Sequence, residues 1–301
     1  MATVVLPEVT RALYPFKSHY LTLSDGKRMH YVDEGPEDGE VIVFVHGYPT
    51  WSFLYRAFLV YYAAQGYRTI ALDLIGFGLS DKPANRRYHT FKRHVYNLIE
   101  CVDALGLQDI TLVMEDWGGP IGLGYAVRHE QNVRRLVIMN SWLFHDTYPG
   151  RLRPLLRLLA RPVIGEVLLG VLGLSISLGI QRGTSRRMSS TVLLGYRAPF
   201  REARSRTALY QFPRLLHGPP NTPSLQLMRE LELELEVLHT TPTLILWGKD
   251  DPFFSVEQSQ LWKKKLPRAR GPIAVPGAHF LPEDNPEALM QELDAFLAEP
   301  F

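Results

Sequence analysis

Asp116 is the residue of this chain whose position most clearly predicts chemistry. It follows the apolar run 110–114 and precedes Trp117, two glycines and a helix-like segment that begins at Pro120. A strand, a sharp turn and a helix in this order present the side chain at the turn above the sheet. A carboxylate needs no base to become nucleophilic, and it suits attack on an electrophilic sp3 carbon with formation of an ester on the protein. The sequence therefore predicts Asp116 as a nucleophile.

The same residues also have a plain structural interpretation. Asp before two glycines is common in turns. In addition, Met114 stands two residues before Asp116, where the elbow of serine hydrolases has glycine. Taken by itself the motif leaves both interpretations open, so the elements around it must decide.

Apolar runs alternate with helix-like segments along most of the chain. The run 41–45 is apolar throughout, which is typical of a strand covered on both faces of a parallel sheet. The predicted strands are 18–23, 29–33, 41–45, 68–73, 110–114, 135–140, 243–247 and 272–275, and the predicted helices include 52–64, 91–105, 120–129 and 286–298. This alternation predicts an α/β protein with a mostly parallel, doubly wound sheet.

The alternation stops after residue 142, in a segment rich in Arg and Leu. We predict a helical cap over residues 143–230, inserted into a core domain made of residues 1–142 and 231–301. Within the cap, the apolar stretch 163–180 contains Glu166 and four glycines, which favours a buried or pocket-lining helix pair over a stable membrane span.

The cap has an uneven charge. From residue 143 to residue 218 there are twelve Arg, no Lys and three acidic residues. Such a basic face could meet a membrane surface or an acidic partner, or it could form salt bridges with the more acidic remainder of the chain.

The bulk properties narrow the class of protein. With 301 residues and 46% apolar content, the chain can bury one large core with an accessory subdomain. A net charge of +2 gives no reason to expect a nucleic-acid partner. The single Cys101 cannot form an internal disulfide and is expected in a helix core, and no secretory signal is evident, so a cytoplasmic location is expected. We expect no cofactor and no metal, a small apolar substrate with water, and a monomer or small homo-oligomer.

The chemically suggestive residues all follow predicted strands. Tyr48 follows the strand 41–45, Asp250 and Asp251 follow 243–247, and His279 follows 272–275. Ligands bind at the carboxyl ends of the strands in open α/β sheets, and Asp116 lies at such an end too. This convergence favours catalysis by Asp116 over a turn role.

The motifs resemble the haloalkane dehalogenases and their relatives of the α/β-hydrolase fold. The matching stretches run from about residue 28 to the end and are 46–56, 73–83, 115–119, 196–200 and 277–284. The strand–elbow–histidine pattern is shared by many hydrolases, whereas Asp-Trp-Gly-Gly together with Asp73 to Pro83 is more specific.

The resemblance implies a role for each of these residues. Asp116 would displace a halide, and His279 would activate a water that hydrolyses the resulting ester. Asp251 would orient His279, because its spacing from Trp247 selects it over Asp250. The family places Trp117 as a halide donor, and the backbone N–H groups of Trp117 and Tyr48 would stabilise the oxyanion. His46 and Asp73 would be structural.

Two departures from the family keep other functions open. Dehalogenases usually have a second halide donor, either Asn at the position of Tyr48 or a Trp from the cap, and no Trp occurs between residues 143 and 246. An aromatic residue before Pro49 is typical of epoxide hydrolases, for which Tyr148, Tyr196 and Tyr210 are candidate proton donors. Beside hydrolytic dehalogenation and epoxide hydrolysis, the sequence is compatible with a β-lactone-processing relative and with a non-catalytic ligand-binding protein on the same fold.

Overall fold

An eight-stranded, mostly parallel sheet forms the centre of the protein. The computed structural model describes residues 4–144, 153–217 and 222–300. The strands are β1 (His19–Thr22), β2 (Arg28–Glu34), β3 (Val41–Val45), β4 (Arg68–Leu72), β5 (Ile110–Asp116), β6 (Val133–Ser141), β7 (Thr243–Gly248) and β8 (Ala269–Val275). Their spatial order is β1-β2-β4-β3-β5-β6-β7-β8. Among these described strands only the pairs β1·β2 and β2·β4 are antiparallel, which confirms the predicted sheet.

Helices cover both faces of the sheet, which is why the central strands contain few polar residues. The α-helices described are α1 (Glu8–Leu13), α2 (Arg56–Ala64), α3 (Phe91–Ala104), α4 (Gly118–Ala126), α5 (Arg153–Ala160), α6 (Ile180–Arg182), α7 (Ser190–Arg197), α8 (Thr207–His217), α9 (Pro223–Glu234), α10 (Val256–Lys265), α11 (Leu281–Asp284) and α12 (Pro286–Leu297). Every residue of β3, β5 and β7 is buried. Cys101 lies buried in α3, as predicted, and burial raises the pKa of its thiol to about 12.

The helix and strand ends follow from local signals. Asn285 caps α12 by accepting a hydrogen bond from the backbone N–H of Ala288, and Pro286 occupies the first turn, as the sequence predicts. β5 extends two residues beyond the predicted end at Met114, because Asp116 still pairs with Ser141 of β6 across a register shift. The nucleophile candidate is therefore the last residue of the strand.

The chain between β6 and β7 is helical over most of its described length. The predicted helix pair at 163–180 forms two π-helices, Glu166–Val171 and Ser175–Gly179, followed by α6. One side packs inward through Leu169 and Ile180, whereas Val163 is 69% exposed. The stretch is therefore a surface layer and is not fully buried. The predicted boundary at residue 230 falls within α9, and the division into core and cap stays a prediction. Across the described ranges no helix is both long and apolar enough to cross a membrane.

The ion pairs of the cap are mostly local. Glu166 pairs with Arg214 of the cap and with Arg86 of the core, and Glu202 pairs with Arg204. In the part of the chain that the structure describes, no cap arginine forms an ion pair with an acidic residue of the core. Salt bridging between a basic cap and acidic residues of the core, one of the interpretations raised by the sequence, is not found there.

Candidate active site

Asp116 lies at a strained turn between β5 and α4. Its φ is 49°, a left-handed conformation that residues other than glycine seldom adopt. The two glycines after Trp117 are required by close packing: a Cβ on Gly118 would lie 2.1 Å from the carbonyl oxygen of Val45, and one on Gly119 would lie 1.8 Å from Ser141 Oγ. The turn therefore holds the Asp116 carboxylate at the carboxyl end of the sheet.

Met114, where a serine-type elbow has glycine, is accommodated by a glycine elsewhere. A Cβ on Gly122 of α4 would lie 2.5 Å from Met114 Sδ. The missing side chain of Gly122 makes room for the thioether, so the helix still packs on the strand. Gly122, eight positions after Met114, therefore compensates for the absence of glycine at position 114.

His279 lies between two carboxylates. Its Nδ1 is 2.9 Å from Asp251 Oδ2, and its Nε2 is 3.5 Å from Asp116 Oδ2. The other Asp251 oxygen accepts hydrogen bonds from the backbone N–H groups of residues 253 and 254, at 2.7 and 3.0 Å, which fixes the carboxylate. The structure thus brings together the three residues predicted from the strand ends, and it is Asp251, not Asp250, that contacts the imidazole.

The proton affinity of His279 depends strongly on this pair of carboxylates. Burial alone lowers the pKa of His279, but the charge and hydrogen bond of Asp251 and the nearby carboxylate of Asp116 outweigh burial, so the pKa lies well above its usual range. His279 is only 2% exposed, and its ring lies against Phe253, Phe254 and Phe280. An apolar wall of this kind strengthens every charge interaction at the imidazole.

Asn140 positions the loop that carries His279. Its amide donates hydrogen bonds to the carbonyls of Ala278 and His279 at 2.8 and 2.7 Å, and its oxygen accepts one from the backbone N–H of Gly248 at 2.8 Å. No role for Asn140 is predicted from the sequence. The structure gives the amide a function there that a carboxylate could not perform, since two carbonyls need a donor.

Two residues predicted to be structural brace the neighbouring loops. His46 Nε2 accepts a hydrogen bond from the backbone N–H of Leu74 at 2.9 Å. Asp73 accepts hydrogen bonds from the backbone N–H groups of Ser52 and Leu79, at 2.8 and 2.7 Å. Both side chains are fully buried and bind loop backbone.

Tyr48 contacts Asp116 through its backbone and the cap through its side chain. Its backbone N–H donates to Asp116 Oδ1 at 2.7 Å, and its hydroxyl donates to the carbonyl of Leu209 in α8 at 2.9 Å. Burial is the main reason that the pKa of this phenol lies well above its usual range. The predicted oxyanion donor is therefore in position, whereas the phenol is directed to the cap.

Aromatic rings from core and cap enclose the Asp116 side of the site. Trp117 packs edge-on against Trp142, with centroids 5.1 Å apart, and against Phe212 of α8 at 4.9 Å. Phe212 also lies 6.2 Å from the ring of Tyr48. Trp142 directly follows β6, one residue before the predicted cap, and sequence reasoning missed it because the second indole of the family is expected within the cap.

The described tyrosines of the cap have partners away from Asp116. Tyr196 donates its hydroxyl to Glu283, which also forms an ion pair with Arg56 of the core, so it fastens the cap to the core. Tyr210 lies against the guanidinium groups of Arg86 and Arg214. Tyr148, the third candidate donor for epoxide opening, lies outside the described residues.

Removal of the Tyr48 hydroxyl is expected to affect stability more than chemistry. Tyr48→Phe keeps the backbone N–H and the ring but leaves the Leu209 carbonyl without its donor. We expect a loss of about 1 kcal/mol in the free energy of unfolding, measured by urea denaturation, with turnover within a factor of about three of wild type. A large loss of turnover without loss of stability would instead assign the phenol to the chemistry.

Comparison with known proteins agrees with this geometry. A family model described as alpha/beta hydrolase fold matches residues 40–286. A protein named haloalkane dehalogenase from Mycolicibacterium paratuberculosis is 38% identical over 93% of this chain and 92% of its own length. A protein named cis-3-alkyl-4-alkyloxetan-2-one decarboxylase from Shewanella oneidensis is 35% identical over 95% of this chain and 90% of its own.

The solved structures agree with these relatives. The haloalkane dehalogenase DbeA from Bradyrhizobium elkani has a TM-score of 0.85 at 27% identity and covers 94% of this chain and 98% of its own. The chain therefore belongs to the α/β-hydrolase fold family. Within that family it belongs to the haloalkane dehalogenase-like group of hydrolases.

Proposed function

We propose that the protein hydrolyses haloalkanes to alcohol and halide through an ester on Asp116. The observation that carries the proposal is a carboxylate at a strand–helix turn, 3.5 Å from an imidazole that a second carboxylate holds at 2.9 Å. This arrangement supplies a nucleophile, a base and the group that orients the base. The buried indole of Trp117 beside Asp116 supports a halide as the leaving group.

In the first half-reaction, Asp116 Oδ attacks the carbon that bears the halogen. The new C–O bond forms as the carbon–halogen bond breaks, and the halogen leaves with the bonding electrons. An indole N–H in an apolar wall suits a large, weakly hydrated anion, because little water competes for it. Trp117 is the proposed donor, and Trp142 is placed beside it.

In the second half-reaction, His279 takes a proton from water, and the resulting hydroxide adds to Cγ of Asp116. Ester formation has by then removed the charge on Asp116, so one of the interactions that raise the pKa of His279 is lost and a larger fraction of the imidazole is neutral and free to accept a proton. The N–H of Tyr48, already 2.7 Å from Asp116 Oδ1, stabilises the oxyanion together with that of Trp117. Collapse expels the alkoxide, which takes the proton back from His279.

A substrate panel tests this proposal. Purified protein is incubated with 1,2-dibromoethane, 1-bromobutane and styrene oxide, and halide and diol are measured. We expect bromide release from the two haloalkanes and no diol from styrene oxide. Diol from styrene oxide without bromide from the haloalkanes would favour an epoxide hydrolase, although the contacts of Tyr196 and Tyr210 argue against that. Binding without turnover of any substrate would support a non-catalytic protein.

A β-lactone is the second candidate substrate class. The Tyr48 phenol is bound to the cap, where many dehalogenases have a halide-binding Asn, and the relative from Shewanella oneidensis is named for a substituted oxetanone. A cis-3-alkyl-4-alkyloxetan-2-one is therefore added to the panel, with carbon dioxide and alkene as the products measured. Rapid lactone consumption with no bromide from either haloalkane would reverse our order of preference.

Trp117→Phe is expected to separate the two substrate classes. The phenyl ring keeps most of the packing against Trp142 and Phe212 but removes the N–H. Bromide release should fall by about 100-fold, because a donor to the leaving halide is lost. Lactone consumption, which releases no halide, should fall far less. Equal losses on both classes would place the function of Trp117 in packing, so stopped-flow measurements of both reactions are required.

The substrate, the cellular location and the assembly of the protein are also proposed. The aromatic wall of Trp117, Trp142 and Phe212 supports a small apolar substrate. A cytoplasmic location is compatible with the buried free thiol of Cys101, and a monomer or small homo-oligomer is the proposed assembly.

A further inference from the structure

Glu115 is a buried carboxyl group that the mechanism so far does not use. Glu115 is fully buried near the end of β5 and directly precedes Asp116. Among the described residues, neither side-chain oxygen has a hydrogen-bond partner of normal geometry, although the backbone N–H of Gly47 acts on the carboxyl group from nearby. Buried carboxyl groups without such partners are rare in proteins and costly to keep. A glutamate in this position therefore calls for a functional explanation.

The side chain faces the nitrogen that must accept the proton from water. Glu115 Oε1 is 3.6 Å from His279 Nε2, and the same nitrogen is 3.5 Å from Asp116 Oδ2. Two carboxyl groups therefore converge on Nε2, while Nδ1 is held by Asp251. Glu115 is therefore the buried carboxyl group, besides Asp116, that lies beside the nitrogen expected to bind the hydrolytic water.

The surroundings of Glu115 favour its uncharged form. Burial raises its pKa well above the usual range, His279 opposes this shift, and the charges of Asp116 and Asp251 raise the pKa further. A neutral carboxyl group has one carbonyl oxygen to accept a hydrogen bond and one O–H to donate. It adds no negative charge that would hold His279 protonated during ester hydrolysis.

We propose that Glu115 is a positioning residue that holds the hydrolytic water through its side-chain carbonyl oxygen. One hydrogen of the water points to His279 Nε2 and the other to Glu115, so an oxygen lone pair points to Asp116 Cγ. When His279 takes its proton, the oxygen forms the bond to Cγ, and Glu115 keeps its own proton throughout. This inference rests on the proposed ester mechanism, but it concerns only the second half-reaction.

Three variants test it in single-turnover experiments with 1-bromobutane. Glu115→Gln keeps a carbonyl acceptor and is always neutral, Glu115→Leu keeps the approximate volume without an acceptor, and Thr111→Val is the matched control. Thr111 is a second buried residue of β5 whose side-chain oxygen has no hydrogen-bond partner among the described residues. Bromide release reports ester formation, and intact-protein mass spectrometry follows the decay of the ester.

We expect Glu115→Leu to form the ester at the wild-type rate and to hydrolyse it about 100-fold more slowly, because the water is no longer held in place. Glu115→Gln should hydrolyse the ester within about fivefold of wild type, and Thr111→Val should match wild type in both steps. If Glu115→Leu does not fold, Glu115→Gln still tests the inference. Slow ester hydrolysis in Glu115→Gln would show that a neutral carbonyl acceptor at this position is not enough to hold the water.

Two results would overturn the inference. Wild-type hydrolysis in Glu115→Leu would show that the carboxyl group does not hold the water, and equally slow hydrolysis in the Leu and Gln variants would require an ionised group. Failure of the underlying mechanism looks different, because then no variant, His279→Gln included, would carry an ester. In that case this inference is rejected together with the mechanism.

Discussion

Asp116→Asn is expected to lower bromide release from haloalkanes by at least about 10⁴-fold, since an amide is a poor nucleophile and no other group takes its place. Asn is the appropriate replacement because it tolerates the left-handed backbone, with φ at 49°, better than most residues. The fold should therefore persist, and the loss should appear in kcat/KM with no ester on the protein. Initial-rate measurements of bromide release against substrate concentration give this value.

Asp250→Asn is the matched control for this result. Asp250 is exposed and adjacent to Asp251, and by sequence it is the competing candidate for the acid. We expect its activity to stay within about twofold of wild type, as for most surface substitutions. Substantial bromide release by Asp116→Asn at neutral pH, with deamidation to Asp excluded by mass spectrometry, would argue that water attacks the substrate directly.

His279→Gln is expected to stop turnover after one half-reaction. The amide cannot take a proton from water, so the ester on Asp116 should accumulate while its formation stays within about tenfold of wild type. Overall turnover should fall by about 10⁴-fold or more, because the base is lost from all later steps. Rapid mixing with 1-bromobutane should give one equivalent of bromide per active site and then almost none.

The ester in His279→Gln should be visible by mass spectrometry. A butyl group in place of a proton is expected on the peptide that contains Asp116, and not on the peptide that contains Asp251. The Asp116→Asn variant, treated in the same way, provides the blank. Steady turnover by His279→Gln, or an adduct on another carboxylate, would be incompatible with the roles proposed for Asp116 and His279.

Much of the fold and the three central residues could be predicted because they depend on short-range patterns. The apolar strands β3 and β5 indicate a parallel sheet, and parallel strands bring their carboxyl ends to one edge. Asp116 and His279 each lie at the end of such a strand or just after it, so topology alone brings them near each other. Asp251 could be chosen over Asp250 as the acid because its spacing from Trp247 matches the family that the sequence resembles.

What the sequence could not provide was the direction of individual side chains. The Tyr48 hydroxyl turns to the carbonyl of Leu209, a contact between residues far apart in the chain that depends on how α8 lies over the core. Phe212 comes to Trp117 for the same reason. Glu115 stands out in the sequence only as part of a motif, because no pattern indicates which face of a terminal strand residue meets a distant histidine.

The most direct test of the central claim is the fate of oxygen in a single turnover. Excess wild-type enzyme is mixed with 1-bromobutane in water enriched in oxygen-18, and both the alcohol and the Asp116 peptide are analysed by mass spectrometry. If an ester forms on Asp116 and water adds to Cγ, the first alcohol carries unlabelled oxygen from the carboxylate, and Asp116 gains the heavy isotope. Labelled alcohol together with an unlabelled Asp116 would show that water attacks the substrate carbon and would contradict the account.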